Sequence, residues 1–122
     1  LYDIFLSCCN NKLNEIEIKW SNKKCLCVVL CSKGYPEKYK KDIEIKNLNK
    51  TDLEPNQFIF HAGTIKKDNK IYACGGRVLN FVSLTDNFSV GRKIISKNIE
   101  KINWSDGFYR KDIGYKVIEW WE

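Results

Sequence analysis

The hydrophobic pattern changes period along the chain, and each change predicts an element. Leu1, Ile4, Phe5, Cys8 and Cys9 recur at a spacing that places them on one helical face, and Asn10 and Asn11 weaken that helix before Leu13. From Lys24 to Ser32 the run KCLCVVLCS is almost continuously apolar and rich in β-branched residues, which predicts a strand covered on both faces. Gly34, Tyr35 and Pro36 stop it. Shorter extended pieces follow at Asp42 to Lys46 and Gln57 to Ala62, separated by a polar loop in which Pro55 prevents a regular helix. Lys67, Asp68, Asn69 and Lys70 read as a hairpin connection, with strands next at Ile71 to Cys74 and Val78 to Leu84. Asp86 is the expected N-cap of the longest helix, about Asp86 to Ile102, because Val90, Ile94, Ile95, Ile99 and Ile102 recur at helical spacing after it. Asn103 and Gly107 bracket its exit. A turn at Asp112 and Gly114 precedes a short segment in which Val117, Ile118, Trp120 and Trp121 are expected to pack. The order of elements predicts an α+β fold: a mainly antiparallel sheet, an N-terminal helix, and one longer helix packed on the sheet.

With 122 residues, 43% of them apolar, the chain suits one folded domain over residues 1–122, in which residues 1–20 form a helix and linker leading into it. Its start at Leu1, without methionine or a helix cap, leads us to expect further chain upstream. No apolar stretch approaches the roughly 18 residues that would predict a bilayer span, and no signal peptide opens the sequence, so a cytoplasmic protein is expected.

The net charge of +6 raises the question of a nucleic-acid partner. Only Lys38, Lys40 and Lys41 form a dense basic run; elsewhere basic and acidic residues alternate, as on an ordinary solvated face. A generally positive field still favours an anionic, phosphorylated substrate. A free-standing module that stacks bases on Tyr72, Phe81, Phe88 or Tyr109 is the contrasting reading, but no basic stripe interleaves with aromatics on one strand face. The six cysteines contain no C-x-x-C, and the single histidine, His61, is far from any cysteine pair, so neither disulfides nor a zinc site are expected. Cys25, Cys27 and Cys31 are expected to act as small buried hydrophobes.

Four motifs remain: CVVLCSKGYP, FIFHAGT, GGRVLNFVSLTDNF and FYRKDIG, in that order. Together they resemble the C-terminal domain of the glycinamide ribonucleotide synthetases, ATP-grasp ligases of purine biosynthesis. Glu37 departs from the family, which usually has glycine after Gly-Tyr-Pro, and this affects only the local turn. The resemblance implies that the whole enzyme joins glycine to 5-phosphoribosylamine with cleavage of ATP, using Mg2+ or Mn2+. It also implies that ATP and metal are held mainly by upstream ATP-grasp domains of the same polypeptide. The chain alone is then expected to be catalytically silent, with no catalytic residue or metal ligand of its own, and to close one substrate-side wall; a purely structural brace shares these features.

On that reading the substrate contacts are Gly75, Gly76 and Arg77, then His61, Gly63 and Thr64, and finally Arg110. A glycine pair lets backbone N–H groups approach an anion, and a guanidinium binds phosphate oxygens bidentately. The alternative at the same residues is a β-bulge with Arg77 in a surface pair. His61 and Thr64 offer donors to a ribose or phosphate, although a histidine without a partner carboxylate is often structural. For Arg110, with Asp112, the readings are a second cationic contact, Asp112 orienting the turn before Gly114, or an intradomain salt bridge that fixes the tail against the sheet.

Overall fold

The computed structural model describes residues 1–121, and of Trp120 and Trp121 only the backbone, so their expected packing lies outside the described side chains. The α+β class is as expected. Helix α1 (Tyr2–Cys9) and a 3₁₀ turn at Leu13–Glu15 precede strand β1 (Lys24–Ser32). Then come β2 (Ile43–Glu44), β3 (Gln57–His61), β4 (Thr64–Lys67), β5 (Lys70–Ala73), β6 (Arg77–Thr85), α2 (Phe88–Ile102), β7 (Gly107–Phe108) and α3 (Tyr115–Trp121). The strands form two antiparallel sheets, in the orders β3-β6-β1-β7 and β2-β5-β4. Asp68 and Asn69 both take left-handed backbone angles at the β4–β5 turn, a conformation that short Asx side chains tolerate, so the expected hairpin forms there.

Strand β1 departs from expectation. It is covered on one face only: Leu26, Val28, Leu30 and Ser32 are buried, whereas Cys25 and Cys27 are exposed and Cys31 is half-buried. The cysteines are therefore not core residues. They occupy the alternate positions of a period-two strand, and α2 packs on the other face. Composition alone could not distinguish a strand buried on both sides from one whose outer residues are also apolar.

The core joins Leu26, Val28 and Leu30 of β1 to Leu79 and Phe81 of β6 and to Ile95, Ile99 and Ile102 of α2. The α2 stripe is shifted from the expected one, with Val90 exposed and Asn98 buried, its Nδ2 donating to Gln57 Oε1 at 3.2 Å. A bulge interrupts the β1–β6 register, which passes from Leu30↔Leu79 to Cys31↔Arg77. The extra residue, Val78, is buried beside Leu79, so two consecutive residues of β6 enter the core.

The N-cap of α2 is Asn87 rather than Asp86. Asn87 has extended backbone angles and its Oδ1 accepts from Val90 N at 2.9 Å, while Asp86 pairs with Lys23 Nζ at 2.6 Å. Asn87→Ala is expected to lower stability by about 1 kcal/mol and Asp86→Ala by less than about half of that, as urea titration would measure. Equal effects would remove Asn87 as the cap. At the other end Asn103 closes the helix in a left-handed conformation, φ 47°.

Helix α1 has no buried residue; Leu1, Tyr2, Phe5 and Leu6 are all exposed. Among the described residues no helix is long and apolar enough to cross a membrane.

Candidate glycine and arginine junction at the end of the sheet

Two turns separated in sequence fold onto each other where β3 and β6 meet. Ala62 N–H donates to Val78 C=O at 3.0 Å and Gly63 N–H to Arg77 C=O at 2.9 Å, which carries the ladder past the end of β3. Gly63 C=O in turn accepts from Cys74 N–H at 2.8 Å and Gly75 N–H at 3.2 Å. The Gly75 N–H is thus engaged within the junction. A side chain at Gly63 has no room, because a Cβ there would lie 2.6 Å from both Gly75 Cα and Arg77 O, and backbone atoms cannot swing aside.

The Gly-Tyr-Pro turn is the third part of this junction. Tyr35, joined to Pro36 by a cis peptide bond, lays its ring against Gly76, where a Cβ would come within 2.1 Å of Tyr35 Cδ2. Ser32 ties the same pieces together: its N–H donates to Gly76 C=O and its Oγ to Gly75 C=O, both at 2.8 Å. Ser32 escaped the sequence reading. Its one visible signal was a hydroxyl at the buried end of an apolar strand, immediately before the turn. The spaced glycines are thus needed to bring three turns into backbone contact.

The remaining predicted residues divide between surfaces. Arg77 is paired in register with Cys31, on the outer face of the sheet, and His61 with Leu79, whose side chain enters the core. Register therefore sends Arg77 and His61 to opposite faces. Arg77 is exposed, and none of the ion pairs among the described residues involves it. Burial pushes the Cys31 thiol up, and the nearby Arg77 guanidinium offsets part of that shift. His61 Nδ1 and Thr64 Oγ1 share a hydrogen bond of 2.9 Å.

Arg110 is committed locally. Its Nε and Nη2 donate to Asp112 Oδ1 and Oδ2 at 3.0 and 2.6 Å. Those bonds hold the Asp112 carboxyl below the usual carboxylate range and raise Arg110. Both side chains are exposed, so this pair adds little to stability.

No set of three or more His, Cys, Asp or Glu among the described residues is placed to hold a metal ion. The donor set does not fit Mg2+ or Mn2+, and no metal chemistry is assigned to these residues. A cavity of about 490 Å³ is lined by Ser32, Lys33, Lys38, Tyr39, Lys40, Ile43, Trp104 and Asp106. It touches the junction only through Ser32.

A family model described as phosphoribosylglycinamide synthetase, C domain, matches residues 25–116, which contain the entire junction. The chain belongs to this family. Among its curated relatives, phosphoribosylamine–glycine ligase of Caldanaerobacter subterraneus subsp. tengcongensis is 44% identical over 102 residues, covering 84% of this chain and 24% of that protein. The ligase of Fusobacterium nucleatum is 40% identical over 113 residues, covering 92% of this chain and 26% of the relative. The crystal structure of phosphoribosylamine–glycine ligase from Thermotoga maritima shares the fold with a TM-score of 0.67 at 27% identity, covering 90% of this chain and 27% of that one. This C domain thus spans about a quarter of the length of the ligases it matches.

Proposed function

We propose that the chain is the C domain of a phosphoribosylamine–glycine ligase of purine biosynthesis, and that Arg77 presents a cation to the phosphorylated substrate. The family match over residues 25–116 carries this reading, because it includes the Gly-Tyr-Pro, HAGT, GGR and RKDIG motifs in one span. Two structural observations support it. The guanidinium of Arg77 is exposed and outside the local ion pairs, and the junction beneath it is fixed by close backbone packing. A rigid base leaves only the Arg77 side chain to be ordered when its guanidinium meets a phosphate.

The whole ligase, on this reading, first transfers a phosphoryl group from ATP to the glycine carboxylate, releasing ADP. The ribosylamine nitrogen then attacks the acyl carbon; the C–N bond forms, phosphate leaves, and the nitrogen loses a proton. This chain contributes binding and orientation, while ATP and the metal ion are held elsewhere in the polypeptide. Without those parts it has no turnover of its own, and the enzyme containing it works in the cytoplasm.

In the full-length enzyme, Arg77→Ala is expected to raise KM for phosphoribosylamine about 10- to 100-fold, the loss of one charge-assisted phosphate contact. The KM for ATP should stay within about twofold, and Arg77→Lys should recover only part of the loss, because an ammonium lacks the planar fork. An unchanged KM for phosphoribosylamine would take Arg77 out of the site.

A further inference from the structure

Among the described residues no element covers the outer face of the four-stranded sheet, yet most of its residues are apolar. Phe58 and Phe60 of β3 are 41% and 54% exposed and stack on each other with ring centroids 5.9 Å apart. Register aligns Phe58 with Val82 and Val82 with Cys27, so one apolar row crosses three strands. Cys25 is exposed one pair further along β1, and Phe108, 40% exposed, pairs with Cys31 at the far edge. Asn80, paired with Phe60 and Val29, is a polar position within the face, and apart from Arg77 at the margin none of its residues is charged, in a chain of which 30% of residues are Asp, Glu, Lys or Arg. A contiguous apolar face of this kind marks an interaction surface.

We propose that this face is the interdomain interface of the ligase, covered by an apolar surface of the rest of the same polypeptide. This rests on reading the chain as one domain of a longer enzyme. Two observations select that occupant. Matched relatives carry about three-quarters of their length outside the aligned region, which supplies a folded body in permanent proximity. Arg77, in register with Cys31, stands at the margin of the same face, so a docked domain would form a cleft beside the guanidinium. That arrangement gives Arg77 a second wall to work against, which the isolated sheet lacks.

The thiols of Cys25 and Cys27 provide the test, since both are exposed on this face, Cys27 in the row that crosses three strands and Cys25 one pair nearer its end. Iodoacetamide labelling at one pH, read by peptide mass spectrometry, should modify both in the 122-residue chain. In the full-length ligase both should react at least about tenfold more slowly, because access then requires the domains to open. Phe60→Lys in the full-length ligase should restore labelling of Cys27, while leaving the melting temperature of the 122-residue chain within a few degrees.

Equal labelling rates in the two proteins would overturn the proposal, as would protection that survives Phe60→Lys. Protection in the 122-residue chain that grows with concentration, together with a dimer in sedimentation, would assign the face to a second copy and also overturn it. Cysteine protection is independent of turnover. If the ligase is protected but Arg77→Ala leaves KM unchanged, the interface stands and the substrate reading fails.

Discussion

Gly63→Ala is expected to destabilise the 122-residue chain by about 3 kcal/mol, and to lower its melting temperature by roughly 10 °C. The added methyl would meet Gly75 Cα and Arg77 O at 2.6 Å and Gly75 N at 2.9 Å. All three are backbone atoms, so relief requires the β3–β4 and β5–β6 turns to separate. Separation would weaken the hydrogen bonds that Gly63 makes with Arg77, Cys74 and Gly75. In the full-length ligase the same substitution should displace Arg77 and raise KM for phosphoribosylamine. Gly76→Ala should do less harm, because its clash is with the Tyr35 ring, a side chain that can tilt. Thermal and urea melts of the two variants check this order; a Gly63→Ala protein as stable as the parent would refute the proposed backbone contact.

A second large effect is expected at Phe81, where truncation to alanine should cost about 4 kcal/mol. Phe81 is 1% exposed and pairs in register with Val28 and Ile59, beneath α2. Removing its ring leaves a cavity that two strands and a helix cannot collapse to fill. Phe60, one register step away on β3 and on the opposite face, provides the control: Phe60→Ala should change stability of the same chain by no more than about 0.5 kcal/mol. The pair compares identical side chains on two faces of one sheet. Comparable losses from urea titration would contradict the assignment of buried and outer faces.

Much of this arrangement was legible before the fold was known. The 3.6-residue recurrence of isoleucines located α2, the apolar run located β1, and the Asp-Asn pair located the β4–β5 turn, because each signal is local. The identity of the N-cap was lost to a one-residue ambiguity: Asp86 and Asn87 are both good caps, and only the backbone shows that the helix begins at Phe88, which puts Asn87 at the cap while Asp86 pairs with Lys23. The cysteines of β1 were misplaced for a different reason. Apolar residues at successive positions do not reveal which face the helix will cover, or whether the other face awaits a different partner.

The motifs followed the same division. Their order placed the chain in its family and marked Gly63, Gly75, Gly76 and Arg77, since close backbone approach needs glycine whatever the surrounding fold. Ser32 and Tyr35 became parts of that junction only through contacts with residues more than 40 positions away. Register and a bulge, rather than residue type, sent Arg77 to the outer face and His61 to the other. Local periodicity and turn chemistry were enough for the main helices and strands and the α+β class, though not for β7, and the ordered motifs were enough for the family. Which apolar face is core, and which side chains share a surface, depends on long-range pairing and packing, where a shift of one residue in register exchanges the two sides of the sheet.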